Sequence, residues 1–246
     1  MSMTEDRNET QGEYERKPIS DDYNGGRSLK EKILSNPRPL TILFRYSVRR
    51  RTIKWATKQL ASESVESYGK VDLAEAIGTP RQTFNEHSDV FNLFGIFRDD
   101  PERRKRVYAP NEDILVAFID TNQTMKEEFG LSSEWPLFDL LDSEIKLVFV
   151  QCLIQKRLNG NLDDEWVRED MLNELGIPLQ TWLRHKEGLL ELKLFEKVGD
   201  EKGPQERYAP NVELVDLLTQ LDTFLGSVFE HNFSEDESGD SERSNH

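Results

Sequence analysis

The stretch "IGTPRQTFNEH" occupies residues 77–87, and "LGIPLQTWLRH" occupies 175–185. Gly78 matches Gly176, Pro80 matches Pro178, Gln82 matches Gln180, Thr83 matches Thr181 and His87 matches His185. Each pair is 98 residues apart. Phe84 is replaced by the other large aromatic, Trp182, and Phe97 and Phe195 keep the same offset. Tyr-Ala-Pro-Asn then recurs at 108–111 and 208–211, so the offset grows to 100 inside one charged loop. Matched ends with a length change in a loop are what an internal repeat predicts.

Outward from that stretch, each copy reads as the same order of elements. A helical run opens it: "LFRYSVRRRTIKWATKQLAS", with Ile53, Ala56 and Leu60 on one face, and "SEIKLVFVQCLIQKRL" in the copy. A short second helix follows and stops at Gly78 or Gly176, as helices stop at glycines that accept a left-handed backbone. A third helix starts at once. Thr79 is placed to cap it, with Pro80 as its first residue and Gln82 completing a capping box. Phe84, Phe91 and Phe94 line one face of this helix, as Trp182, Leu189 and Leu192 do in the copy. Ile96-Phe97 and Val107-Tyr108 then read as a two-stranded hairpin bent at Asp99-Asp100-Pro101. Asn111 is placed to cap a fourth helix, with Glu112 and Asp113 at its positive end.

This order resembles the winged helix-turn-helix family. The resemblance rests on "VDLAEAIGTPRQTFNEHSDVFNLFGIF" (71–97): a short helix ending in Ile-Gly, a polar cap, then a helix ending Leu-Phe-Gly-Ile before the wing. His87, three residues after Phe84, also looks like a residue common at that site in bacterial and archaeal regulators. The copy departs from the pattern, because Lys193 replaces the glycine before the wing and Leu179 sits where Arg81 does. The expected fold is mainly α with small β-hairpin wings, in two tandem winged helix-turn-helix domains. Residues 1–38 read as a disordered tail, 39–121 as the first domain, 122–136 as a linker, 137–229 as the second domain and 230–246 as a disordered acidic tail.

The resemblance implies that the third helix enters the major groove and the wing touches the backbone. The candidate DNA-binding residues on the helix are Arg81, Gln82, Thr83 and Asn85, away from the Phe84 face. Arg can form a bidentate pair with guanine, and Gln or Asn with adenine. Glu86 works against this, since a carboxylate repels phosphates. The wing contributes Arg98, Arg103, Arg104, Lys105 and Arg106, the cations that phosphate binding requires. Arg49, Arg50 and Arg51, with Arg45, Lys54 and Lys58, give the first helix a basic side.

Charge separates the copies. Over 41–121 there are thirteen Lys and Arg against twelve Asp and Glu, a balance of +1; over 137–225 there are ten against eighteen, a balance of −8. An acidic winged helix suits protein contact or dimerisation better than duplex binding. The run "VELVDLLTQLDTFLGSVF" puts Leu214, Leu217, Leu218, Leu221, Phe224 and Leu225 on one stripe. A helix outlasting its own domain can pair with a second chain, so a homodimer is one expectation.

The chain of 246 residues is acidic overall, with a net charge of −15 and an apolar share of 36%. No apolar run reaches the length of a membrane span, and the N-terminus has no apolar core of a secretory signal, so the expected location is the cytoplasm. The acidic excess also suits a high-salt cytoplasm, as in a halophile. Cys152 stands alone in an apolar run and reads as a core residue. No Cys/His spacing suggests a metal, no glycine-rich loop has the context of a phosphate cradle, and no nucleophile stands with a base. No cofactor is expected and an enzyme is the least favoured class. The leading expectation is a sequence-specific double-stranded DNA-binding transcriptional regulator. The rivals are a plasmid or viral replication initiator or partition protein, in which both copies touch DNA, and a non-DNA scaffold of a chromosome-organising complex.

Overall fold

The computed structural model describes residues 37–63, 67–99, 107–162 and 165–240. The first run of elements is α1 (Pro39–Phe44), α2 (Ser47–Ala61), β1 (Tyr68–Gly69), α3 (Lys70–Ala76), α4 (Arg81–Leu93), β2 (Phe97–Asp99), β3 (Val107–Pro110) and α5 (Glu112–Glu127). The second is α6 (Pro136–Leu140), α7 (Glu144–Leu158), β4 (Trp166–Val167), α8 (Arg168–Leu175), α9 (Leu179–Glu191), β5 (Phe195–Val198), β6 (Arg207–Pro210) and α10 (Val212–Asp240). The chain is mainly helical, with two small antiparallel sheets of three strands each, ordered β1-β3-β2 and β4-β6-β5.

Two features enlarge the expected order. Each hairpin gains a third strand, β1 or β4, only two residues long. Tyr68 pairs with Tyr108, and Trp166 with Tyr208. Each opening helical run is also preceded by a separate turn of helix. Pro39-Leu40 starts α1 and Pro136-Leu137 starts α6, both with proline in the first turn, where its missing N–H costs nothing.

The helix stops follow backbone chemistry. Gly78 and Gly176 lie at φ +64° and +62°. After α3, Thr79 N–H donates to Ala74 O at 2.8 Å and Gly78 N–H to Glu75 O at 2.9 Å. After α8, Ile177 N–H donates to Leu172 O at 2.9 Å. These paired bonds satisfy carbonyls that the helix end leaves open. They also overturn the capping box at Thr79. Its backbone is engaged in closing α3, Pro80 occupies the cap position of α4 without a side-chain bond, and Thr79 Oγ1 is buried without a hydrogen-bond partner. Gln82 reaches Glu86 instead, at 3.4 Å.

Asn111 does not cap α5. Its Oδ1 accepts from Arg98 Nε at 2.6 Å and its Nδ2 donates to Gly95 O at 2.7 Å. The matched Asn211 does cap, accepting from Leu214 N–H at 3.0 Å. The tyrosines before these asparagines are core residues. Tyr108 packs edge-on to Phe84 at 5.9 Å, and Tyr208 packs edge-on to Trp182 at 5.1 Å. The prolines pair in register with Phe97 and Phe195. Each sheet thus closes over the buried face of α4 or α9.

The buried residues of both halves belong to one continuous cluster. The stretch expected as a linker, 122–136, departs from that reading: α5 runs on to Glu127, Met125 is buried, and Asn122 Oδ1 accepts from Leu137 N–H at 3.0 Å. The expected C-terminal tail departs too. Helix α10 continues through 230 to Asp240, Phe229 meets Phe94 at 5.3 Å, and Asn232 Nδ2 donates to Leu93 O at 3.0 Å. The stripe considered for dimerisation is engaged within the chain. Leu214, Leu218, Leu221 and Leu225 are buried, with Leu217 and Phe224 packed against the same core.

A polar joint crosses the halves. Asp222, fully buried in α10, accepts from Leu40 N–H at 2.9 Å at the start of α1 and pairs with Arg38. Thr41 bonds to Gln151 of α7. The carboxylate thereby sits at the positive end of a helix turn with its hydrogen bonds satisfied, which is what makes a buried charge tolerable.

Candidate nucleic-acid interface

Helix α4 buries Phe84, Ser88 and Phe91, which turns Arg81, Gln82, Asn85 and Glu86 to solvent. Thr83 is half-buried at the edge of that face. The expected reading residues therefore share one exposed surface. Its N-terminal end carries the partial positive charge of a helix start.

Helix α2 lies beside it. Val48, Thr52, Ile53, Ala56 and Thr57 face inward, so the three arginines lie toward the surface. They are not a plain solvated row. Arg49 donates to Ile42 O at 2.6 Å and Arg50 to Phe44 O at 2.8 Å, both at the carbonyl end of α1. Arg51 donates to Gly78 O at 3.1 Å, in the turn that leads into α4. Each guanidinium thus holds backbone carbonyls with part of its fork and keeps its charge. Burial lowers the pKa of Arg49 and Arg50 without threatening protonation, since arginine titrates so far above neutrality.

Arg49 also ties α2 to α4. Its Nε donates to His87 Nδ1 at 3.3 Å, Tyr46 stacks on the His87 ring at 5.0 Å, and Arg49 lies over the Tyr46 ring at 4.7 Å. Burial, then the charge of Arg49, pushes His87 below its ordinary pKa. Neutral His87 accepts at Nδ1, so its proton sits on Nε2. Sequence reasoning marked His87 only as a residue common at that site in regulators and missed Tyr46. The only signal was the adjacency of Tyr46 to a basic run.

The wing divides. Arg98 is engaged at the foot of β2, paired with Asp113 and bonded to Asn111, so its charge is compensated. Arg103, Arg104, Lys105 and Arg106 lie outside the described residues. Among the described residues Arg45, Arg49, Arg50, Arg51, Lys70 and Arg81 have no ion pair within 4 Å, whereas Lys54 pairs with Asp139 and Lys58 with Glu134. All of these unpaired cations but Lys70, which starts α3, lie along or just before α2 and at the start of α4.

The matched surface of the second half differs chemically. Leu179 and Leu183 stand where Arg81 and Asn85 do. Lys146 occupies the place of Arg49: it donates to Asp139 O at 2.7 Å, as Arg49 donates to Ile42 O, and it also pairs with Asp142. Arg157 pairs with Asp216, Lys156 with Glu174 and Arg207 with Glu165. Glu206 gathers Arg168 at 3.1 Å, Lys186 at 3.4 Å and Lys197 at 3.9 Å, and accepts from Tyr208 Oη at 2.8 Å. Burial alone would raise the Glu206 carboxyl, but the Tyr208 hydrogen bond and the charges of Lys186 and Arg168 outweigh it and hold the pKa below the ordinary value.

Among the described residues, no group of three His, Cys, Asp or Glu is arranged to hold a metal, and no helix is long and apolar enough to cross a membrane. No family model, no curated protein and no solved structure matches this chain.

Proposed function

We propose that the chain is a double-stranded DNA-binding transcriptional regulator built from two winged helix-turn-helix units, with the first reading DNA and the second serving protein contact. The observation that carries this reading is the basic side of α2 set beside the exposed start of α4. Five cations there, Arg45, Arg49, Arg50, Arg51 and Arg81, have no carboxylate within 4 Å among the described residues, and Gln82 and Asn85 share the adjoining surface. A polyanion meets the first group and base edges meet the second. Four more cations, Arg103 to Arg106, follow in the wing sequence.

A replication initiator with both halves on DNA is the less supported reading, because most cations of the second half already lie within 4 Å of its own carboxylates and that half is acidic overall. Selection of bound sequences from random duplex DNA, repeated at two salt concentrations, tests the proposal. A recovered consensus that weakens steeply with salt is expected. Absence of duplex binding at low salt would overturn it.

A further inference from the structure

Helix α9 presents leucine where α4 presents arginine and asparagine. Leu179 is 43% exposed and Leu183 is 47% exposed, one helical turn apart. One exposed leucine is ordinary, but here Leu179 also lines an apolar depression, and Leu183 follows it on the same face. A groove of about 320 Å³ opens beside Leu179, walled by Leu172, Ile177, Pro178 and Pro204.

The unpaired charge on its α8 side is acidic. Glu169 stands in the groove wall and Asp170 follows it, both exposed in the first turn of α8. Arg168, the cation in the same wall, is held by Glu206. Arg184 lies next to Leu183 on α9, so the acidic side is the α8 side. The half as a whole has a balance of −8 over 137–225. A second copy would set one acidic half against another, which repels.

We infer that this surface docks a basic amphipathic helix of a partner protein. Its apolar stripe fills the groove and covers Leu179 and Leu183, and its lysines or arginines face Glu169 and Asp170. This names the site within the protein-contact reading of the second half, and it does not require the first half to bind DNA.

The test uses the full chain and three labelled 18-residue probes: a Leu/Lys amphipathic helix, a Leu/Glu helix of the same pattern, and a scrambled Leu/Lys peptide. Anisotropy titration is expected to show the Leu/Lys helix bound most tightly. Leu179→Glu with Leu183→Glu is expected to weaken it by about tenfold or more, the scale of losing interface anchors. Glu169→Lys with Asp170→Lys is expected to weaken it while leaving the leucines in place. Both pairs are solvent-facing, and retained helical circular dichroism confirms folding. Equal binding of the Leu/Glu or scrambled probe, or binding indifferent to the leucine substitutions, overturns the inference. So does a wild-type dimer by sedimentation that Leu183→Glu dissociates, because the occupant is then a second copy. Duplex DNA titrated in parallel keeps the two readings apart: loss of DNA binding with intact peptide binding removes only the proposal for the first half.

Discussion

Helices α2 and α7 hold the same place in their halves and have opposite surfaces. Helix α2 buries one face and leaves Arg49, Arg50 and Arg51 outward. Helix α7 is buried from Lys146 through Ile154 without interruption. The difference lies in what packs around them. Helix α10 covers α7 and α1 leans on it, so the middle of α7 has no solvent side to keep polar. A helix apolar all round is a buried helix. What packs around each helix, rather than the order of elements, sets which half has a cationic face. The contrast teaches that two halves with the same order of elements can have unlike surfaces when one is more deeply packed than the other.

The largest expected effect breaks the comparison on DNA. Replacing Arg51 and Arg81 with Ala should flatten the log–log salt dependence of duplex binding by about two units, roughly 0.9 per lost phosphate contact. Neutralising Arg103 to Arg106 should flatten it by about three to four. Arg184→Ala in the second half should leave the slope unchanged. Equal effects in both halves would end the proposed division.

Next in size is the joint between halves. Asp222→Ala strands Leu40 N–H and removes the partner of Arg38, and should cost about 3 kcal/mol in urea unfolding. Hydrogen exchange should show both halves loosened together. Loosening of the second half alone would mean that α1 is held by other contacts.

Glu206 sharpens the comparison of the two sheets. Glu206→Gln should destabilise the chain by about 1 kcal/mol at neutral pH, a figure reduced for partial solvent screening. The folded carboxyl titrates below its ordinary value of 4.5. Its contribution is therefore fully present above that value and disappears as pH falls through the lower folded one. Wild type and Glu206→Gln melting temperatures should converge in acid.

The smallest effects swap residues between matched positions of the two halves. Thr79→Val should stabilise by about 1 kcal/mol, since a buried hydroxyl without a partner gives way to the apolar character of Ile177. Lys193 lies at φ +54° where Gly95 lies at φ +59°. Lys193→Gly should stabilise by about 0.5–1 kcal/mol by relieving a left-handed backbone. Thermal unfolding measures both.

The sequence was legible where side chains repeat. Matched Gly-Pro-Gln-Thr-His positions and the shared Tyr-Ala-Pro-Asn located α4, α9 and the sheets, and the apolar spacing identified Phe84 and Trp182 as inward. It was silent where geometry is backbone-made. Strands β1 and β4 are two residues each, too short to show alternation. Thr79 and Asn111 were expected as caps from residue type and spacing, yet the Thr79 backbone is drawn into the turn that closes α3, and Asn111 Oδ1, the acceptor a cap needs, is taken by Arg98 Nε. Helix α10 was expected to stop early because its end is rich in Ser, Asp, Glu and Gly, which favour solvated coil. The pairing of most second-half cations was invisible, since ion pairs such as Arg157–Asp216 join residues far apart in sequence.

The reach of α10 has a consequence during synthesis. The first half lacks part of its wall until the last helix leaves the ribosome. Leu40, Pro39 and Phe94 receive Asp222, Gly226 and Phe229 about a hundred residues after α5 is complete. At ordinary elongation rates that delay is about 5–20 s. A nascent chain in that interval shows a greasy seam along α1 and the end of α4, open to chaperones and to neighbouring nascent chains alike. Slowing translation after α5 should therefore lower the soluble yield more than slowing it before α1.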